Sequence, residues 1–442
     1  MGTPKPIARR SILLAGAIAS TALLAYACAP EHSHTAEAPD PRRPAINRHS
    51  RSIRDFGAVG DGKTDDQGAI QATINEVADR GGGSVLVPAS NPGYACNRLT
   101  IPSGVALVGE GANARLIKRD PSKFWIVIAK EARNVVLRNI VIEARADVST
   151  AMLRIDDGAK SIRIDQVTFE CTANTHSTQV ETRLDNSSIV ITACGFKSGF
   201  IGIRVNRNVR DVLIEKSTFD GWIERGIFVL GTAKHAASLI AIRHNTIKPH
   251  GKGGQVRQPI QFNGSDSNTF KDVQVTDNVV TGAGTDYKDP KSPGTADLIS
   301  LHRCERFYVA RNICTLGGDM GITVSQQSRH GQVVDNTCEE NDSSGLAIGS
   351  GTSSSTYDVV IERNVLMNNG LARYGKETPD WARSGITVHH ANKILVADND
   401  LGNSNQTGDQ LYGVSVIDSG DDIAIESSNT FAGVKQASIY RR

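Results

Sequence analysis

Apolar runs with helical periodicity are almost missing from this chain. Its apolar residues come instead in runs of four to six at period two, whereas a helical repeat needs amphipathic stretches of ten or more residues. Aromatic residues make up 5% of the 442 residues, which excludes a core built on large rings and suits narrow aliphatic layers. The formal net charge is +2, too small an imbalance to argue for nucleic acid as a partner. Among the 7 cysteines no Cys–His spacing of zinc type occurs. Past residue 27 no apolar stretch is long enough to cross a bilayer, so the mature chain has no integral membrane span.

What is present is repetition. An aliphatic pair two residues apart, an Asn three residues after the second aliphatic and a further apolar residue recur along the chain. The copies read Asp272-Val-Gln-Val-Thr-Asp-Asn278-Val-Val, Phe307-Tyr-Val-Ala-Arg-Asn312-Ile-Cys, Gln332-Val-Val-Asp-Asn336-Thr-Cys, Val359-Val-Ile-Glu-Arg-Asn364-Val-Leu and Ile394-Leu-Val-Ala-Asp-Asn399-Asp-Leu. The phrase extends outward through Asn245, Ser217, Cys194, Val167 and Ile140 on one side and Ser428 on the other, at spacings of 23 to 35 residues. Between copies lies a second strand of the form Gly-aliphatic-x-aliphatic, as in Gly202-Ile-Arg-Val, Gly321-Ile-Thr-Val and Gly385-Ile-Thr-Val. One coil of about 28 residues thus holds at least two strands, and only stacking coils in parallel buries their inward aliphatics. The pattern predicts a parallel β-helix with Asn at a fixed turn, where it tolerates left-handed backbone and bonds to Asn on the next coil. Cys314 and Cys338, each two residues after a repeat Asn, then stack inside as buried thiols.

The first 27 residues read as an export signal. Arg9-Arg10-Ser11-Ile12-Leu13 opens an apolar run through Leu24, and Ala25-Tyr26-Ala27 offers a small-x-small cleavage site. The paired Arg points to the twin-arginine route, and Cys28 offers a place for a lipid anchor. The expected location is therefore periplasmic or extracellular. Residues 28–50 read as a flexible tether and 51–442 as one solenoid domain, compatible with a monomer or a homotrimer.

The entrance to the coil is the string Asp55-Phe-Gly-Ala-Val-Gly-Asp-Gly-Lys-Thr-Asp65-Asp66-Gln-Gly-Ala-Ile70-Gln-Ala-Thr-Ile74. Thr64, Asp65 or Asp66 caps a helix that buries Ile70, Ile74 and Val77 and plugs the first coil. Short strands with Gly and Pro corners follow at Gly81–Pro88, Leu99–Pro102 and Val105–Gly111. Residues 55–111 resemble the amino-terminal segment of the pectate-lyase-like superfamily, which includes pectate lyases, rhamnogalacturonases, polygalacturonases, uronan epimerases and phage tail-spike depolymerases. The resemblance implies an all-β fold, a single-stranded right-handed parallel β-helix with an amino-terminal capping helix, acting on polysaccharide. It does not choose among those reactions. Asp61, Asp65 and Asp66 read as structural.

In the Gly-x strand the residues between and after the aliphatics point outward and stack into columns. One column reads Arg204, Phe228, Gln261, Ser300, Thr323, Ala347, Thr387, Ser415; the next reads Asn206, Leu230, Asn263, His302, Ser325, Gly349, His389, Ile417. With the preceding glycines also expected outward, these columns form a low floor whose middle is polar, and His302 lies about 5 Å from Asn263 and Ser325. Long connections border it, carrying Arg257, Tyr287, Tyr374 and Arg383.

Three chemistries compete for this floor. Hydrolysis requires two carboxylates, and only Asp297, Asp319 and the loop acids offer them. Related hydrolases carry an Asn-Thr-Asp, a paired Asp and a Gly-His-Gly on successive coils. This chain has Gly317-Gly-Asp-Met-Gly321 where the His motif belongs, and Asp421-Asp422 falls on the wrong strand. Elimination from a uronate requires a group that neutralises the carboxylate, a base and an acid. The candidates are Gln261 and Asn263 for the carboxyl group, Arg303 or Arg257 for charge, His302 for the base and Tyr287 or Tyr374 for the acid. Ser300, Thr323, Ser325, His389 and Arg383 would contact the chain of sugars. An epimerase shares the proton abstraction, but Asp289-Pro290-Lys291-Ser292 departs from the Asp-Pro-x-Asp pattern of alginate epimerases. No cofactor is required; calcium assistance would draw on Asp286, Asp289, Asp297 and Asp319. The sequence reading is an exported lyase of acidic polysaccharide, with a polygalacturonase- or rhamnogalacturonase-type hydrolase as alternative, and a non-catalytic polysaccharide-binding or surface-structural protein as the third.

Overall fold

The computed structural model describes residues 49–111, 113–118, 124–145, 151–171, 177–222, 224–249, 258–265, 268–282, 297–349, 355–372, 378–404 and 408–442. The leader, Cys28 and residues 28–48 of the tether lie outside them. The described chain winds into a right-handed parallel β-helix. Three sheets run its length, with 14, 14 and 13 strands among the described residues, and within each sheet a strand pairs with the equivalent strands one coil before and one coil after. Sheet A holds the aliphatic pair preceding the repeat Asn, for example Phe270–Thr276 and Cys304–Ala310. Sheet B is a short strand just after that Asn, such as Val279–Thr281 and Ile313–Thr315. Sheet C is the Gly-x strand, such as Ile260–Asn263 and Ile299–His302. Each coil therefore carries three strands; the third had shown in the sequence only as one apolar residue beyond the Asn.

The interior is built of residues stacked in register from coil to coil. Val273, Phe307 and Gly331 follow one another in register in sheet A, and Phe169, Phe196 and Phe219 stack in sheet B with ring centroids 5.3 and 4.5 Å apart. Cys314 pairs in register with Cys338, and both are fully buried free thiols. Gly331 is required where it stands, because an added Cβ would meet the Phe307 ring at 2.0 Å.

At the corner between sheets A and B the repeat asparagines form a buried ladder. Asn312 donates from its backbone N and from Nδ2 to Asn336 Oδ1 at 3.0 and 2.9 Å, and Asn336 does the same to Asn364 at 2.9 and 3.0 Å. The remaining Nδ2 hydrogen reaches a carbonyl of an earlier coil, as from Asn312 to Val275 at 2.8 Å. The ladder ends on Asn429, which accepts from Asn399 at 2.9 Å. Ser428, read from the sequence as the last rung, instead accepts from Asp398 N. The Asn residues are also not the left-handed ones. That conformation belongs to the residue before each of them, Asp277, Arg311, Asp335, Arg363 and Asp398, with φ between 53 and 58°. The bend occurs one residue earlier, and the Asn is chosen for its amide. The exposed bend residues alternate in charge, and Arg311 and Arg363 each clamp the preceding aspartate, Arg311 Nε to Asp277 at 2.7 Å and Arg363 Nε to Asp335 at 2.8 Å.

The helix Gln67–Asp79 closes the first coil with Ile70, Ile74 and Val77 buried. Asp66 sits at its N-cap position, where its carbonyl accepts from Ile70 N at 3.0 Å but its side chain makes no cap bond. Its carboxylate instead accepts from Val59 N and Gly60 N at 2.6 and 3.1 Å and fixes the preceding loop. Asp61 accepts from Thr64 N and then Lys63 N, bonds that hold its carboxyl below the usual range.

Replacing Asn336 by Ala strands the buried backbone N of Asn312, takes one of two acceptors from the Asn312 amide and removes the Nδ2 donor to Val309 O, and should cost about 2–4 kcal/mol. Replacing Arg363, whose ion pair is solvent-exposed, should cost less than about 1 kcal/mol. Urea unfolding of the two variants checks this, and equal losses would show that the ladder is not the stronger restraint.

Candidate active site

Strand pairing in sheet C stacks the outward residues into one floor. Gln261 is in register with Ser300 and Ser300 with Thr323; alongside them Asn263 pairs with His302 and His302 with Ser325. Neighbouring coils lie about 4.8 Å apart, so these six polar side chains occupy one patch across three coils. Gln261, Ser300, Thr323 and Ser325 are buried, while His302 and Asn263 are partly exposed.

His302 closes its strand, immediately before the left-handed corner at Arg303 (φ 59°). Its Nε2 lies 2.8 Å from Ser300 Oγ. Burial, and then the Arg303 cation beside it, hold its pKa down to about 4, so the imidazole is neutral at ordinary pH. Arg303 does not extend over the floor as expected. Its Nη1 donates to Gly264 O and Gln326 Oε1, at 3.2 and 2.6 Å, and binds three coils together at the corner. Thr323 Oγ1 turns to Met320 Sδ at 3.5 Å.

The glycine preceding each aliphatic does not widen the floor. A Cβ on Gly321 would fall 2.9 Å from Cys338 Cβ, and one on Gly413 2.2 Å from the Phe431 ring, so both face sheet B across a tight corner. The floor instead gains a cation that sequence reasoning missed. Arg225, 8% exposed, donates from Nε to Gln261 Oε1 at 2.6 Å, stacks its guanidinium 4.3 Å from the Phe228 ring and pairs with Glu224. The available signal was its position one residue before the rung glycine Gly226, where the other Gly-x strands carry no basic residue. Beyond it the outward column continues through Arg204, Glu181 and Arg154, with Asn206 Nδ2 donating to Glu181 at 2.9 Å.

Asp297 and Asp319 are buried at the entrances of successive sheet C strands, and Asp342 is buried at the entrance of the next. Arg383 is turned away from the floor, bound to Gly370 O at 2.9 Å and paired with Asp409. His389 is in the outward column, in register with Gly349 and Ile417, three coils from His302. Arg257, Tyr287, Tyr374, Asp286 and Asp289 lie outside the described residues.

Residues 50–283 match the family described as rhamnogalacturonase A/epimerase, pectate lyase-like. The chain belongs to this family. Its similarity to curated relatives is local. It is 43% identical over 75 residues to mannuronan C5-epimerase AlgE5 of Azotobacter vinelandii, spanning 15% of this chain and 7% of that protein. It is 41% identical over 73 residues to alginate lyase 7 of the same organism, and 43% over 74 residues to the tail spike protein of Shigella phage Sf6. These two matches span 8% and 12% of those proteins. Likeness across the whole coil comes from solved structures. The A-module of mannuronan C-5 epimerase AlgE6 superposes with a TM-score of 0.55 at 16% identity, covering 88% of this chain and 99% of that one. The catalytic unit of a GH87 alpha-1,3-glucanase from Streptomyces thermodiastaticus gives 0.55 at 14% identity, covering 89% and 71%. At such identities these structures show the shared parallel β-helix fold alone.

The depressed pKa of His302 has a consequence for stability. As pH falls, the unfolded chain takes up this proton near 6.5 and the folded chain near 4, so the residue contributes stability above pH 6.5 that is lost between 6.5 and 4. Its span is on the order of 3 kcal/mol. The difference in unfolding free energy between wild type and His302→Gln should therefore shrink across that interval, and a constant difference would mean that His302 titrates as it does in a free peptide.

Proposed function

We propose that this chain is an exported enzyme that cleaves a uronate-containing polysaccharide by β-elimination, with His302 as the base. The observation that carries this reading is a neutral, half-buried imidazole held by Ser300 Oγ at 2.8 Å, in register with the amide of Asn263. In the reaction the base takes the proton next to the carboxyl group, the electron pair forms the ring double bond, and the bond to the neighbouring sugar oxygen breaks. That oxygen then takes up a proton. Asn263 and Gln261, one coil from His302, hold the uronate carboxyl group. Arg225 occupies Gln261 Oε1, so what this amide has left to offer is its NH2 donor. Ser300, Thr323 and Ser325 complete the floor, and Tyr287 or Tyr374 remains the sequence candidate for the acid.

Support comes from chemistry and kinship together. Epimerisation of a uronate and elimination from it share the loss of the proton beside the carboxyl group, and the locally similar relatives include a mannuronan C5-epimerase and an alginate lyase. The paired arginines of the leader support export.

One observation favours a second reading, hydrolysis. Asp297, Asp319 and Asp342 are buried beside the floor on three successive coils, and coils one or two steps apart bring carboxyl groups within the range that glycoside hydrolysis uses, about 5–9.5 Å.

Incubating the mature protein with a panel of uronate polymers separates the readings. Elimination generates the ultraviolet absorbance of an unsaturated product; hydrolysis generates new reducing ends without it; binding without either identifies a non-catalytic protein. His302→Ala should lower kcat/KM for elimination by about 10²–10⁴-fold with an unfolding midpoint near that of wild type, while Asp319→Asn should abolish hydrolysis. Repeating the assay after chelation and calcium add-back tests whether Asp297 and Asp319 recruit that ion.

With His302 as base, kcat/KM should be level above about pH 5 and fall as pH drops toward 4, because protonation removes the acceptor. An acid limb centred near 6.5 would assign the base elsewhere.

A further inference from the structure

We propose that His389, His390 and Asp418 form a binding site for a divalent transition-series cation of the zinc type, bridging two consecutive coils. One ring nitrogen of each histidine and one carboxylate oxygen of Asp418 lie within 4.8 Å of one another, the sole such trio of histidine, cysteine or acidic groups among the described residues. The fold brings them together through its corners. His389 ends the sheet C strand Ser384–His389 as an outward residue. His390 is the left-handed corner (φ 52°) and folds back, so that the two rings lie 4.5 Å apart at 36°. On the next coil Ile417 is in register with His389, and Asp418 is the left-handed corner that follows it (φ 44°), with Oδ2 3.7 Å from His389 Nε2.

Three features make this trio a site for a metal ion. His390 Nδ1 is shut off from solvent and finds no hydrogen-bond partner among the described residues, a need that neither the fold nor the floor around His302 meets. The His389 ring is held from one side by Trp381, edge-on at 5.2 Å. Trp381 is itself tied down where its carbonyl accepts from Ser384 Oγ at 2.7 Å. Two imidazoles and one carboxylate are the donor set of zinc and its neighbours, and calcium, which takes six or more oxygens, is poorly served by them. Bonds of about 2.0–2.1 Å require the three ligand atoms to close to roughly 3.3 Å in a tetrahedral site, a movement within reach of side-chain rotation. The cation now facing Asp418 is Arg442, whose Nη2 lies 3.7 Å from Oδ2, and a bound metal would displace it. The six described thiols are fully or nearly fully buried and offer no competing surface ligand.

The test is calorimetric titration of the full chain with zinc chloride, with calcium chloride as comparator. One zinc per chain should bind, with calcium at least tenfold weaker. Asp418→Asn and His390→Gln should each weaken zinc by about tenfold or more, in line with the loss of one ligand. Arg442→Ala, which removes the competing cation, should tighten it. The thermal midpoint of the wild type should rise with zinc, and that of Asp418→Asn should rise less. Asp418 is exposed and its Asn variant is isosteric, so that variant decides the matter even if a histidine variant fails to fold. Unchanged zinc affinity in Asp418→Asn, no binding by the wild type, or calcium bound as tightly as zinc would each overturn the proposal. None of these results bears on which reaction occurs at His302, three coils away.

Discussion

The structure depends on one restraint, which is that every coil must repeat the corner of the coil before it. The asparagine ladder enforces this from inside. Each buried Oδ1 accepts two hydrogen bonds from one neighbouring coil, and each Nδ2 gives its hydrogens to the other neighbour's Oδ1 and to a carbonyl. A coil that slipped by one residue would leave these polar groups unpaired in the interior and would turn its aliphatics outward. The amide ladder therefore fixes what the aliphatic layers alone leave loose, because one β-branched residue stacks on another almost equally well in several registers.

The floor rests on a second repeat, that of the Gly-x strand, because the distance from this strand to the Asn differs between coils: Gln261 precedes Asn278 by 17 residues and Ser300 precedes Asn312 by 12. Aligning the aliphatics of Pro259-Ile-Gln-Phe with those of Leu298-Ile-Ser-Leu sets Gln261 on Ser300 and Asn263 on His302, as the strands pair. These pairings were legible in the sequence because that alignment alone was needed. The fold class, the capping helix and the cysteine stack were likewise legible from repeats and apolar spacing. Less accessible was anything decided by direction within a coil. Nothing in the Gly-x pattern tells whether a glycine opens a surface or relieves a crowded interior corner, and crowding by Cys338 and Phe431 settled it. Arg303 and Arg383 read as available charges, but each is held by oxygens of neighbouring coils, Gly264 and Gln326 for Arg303 and Asp409 for Arg383, that are distant in sequence. Arg225 escaped notice because its role depends on Gln261, 36 residues onward.

Little formal charge lies at the middle of the floor. At its middle sit amides, hydroxyls and a neutral imidazole, and the carboxylates Asp297, Asp319 and Asp342 are set back at the strand entrances. The Arg225 cation is partly neutralised by Glu224. An anionic polymer bound there as proposed would thus meet oriented dipoles rather than strong opposite charge, an arrangement better suited to holding a developing negative charge than to gripping a resting one.

The alternating aspartates and arginines on the bends of the A–B corner carry a consequence for how such a chain changes length. Asp277, Arg311, Asp335, Arg363 and Asp398 follow one another one coil at a time. Deleting or duplicating a single coil within this column would set two aspartates or two arginines side by side, whereas removing or adding two leaves the signs in order. Growth and shrinkage of this part of the array are therefore biased toward even numbers, by the small energy of exposed ion pairs.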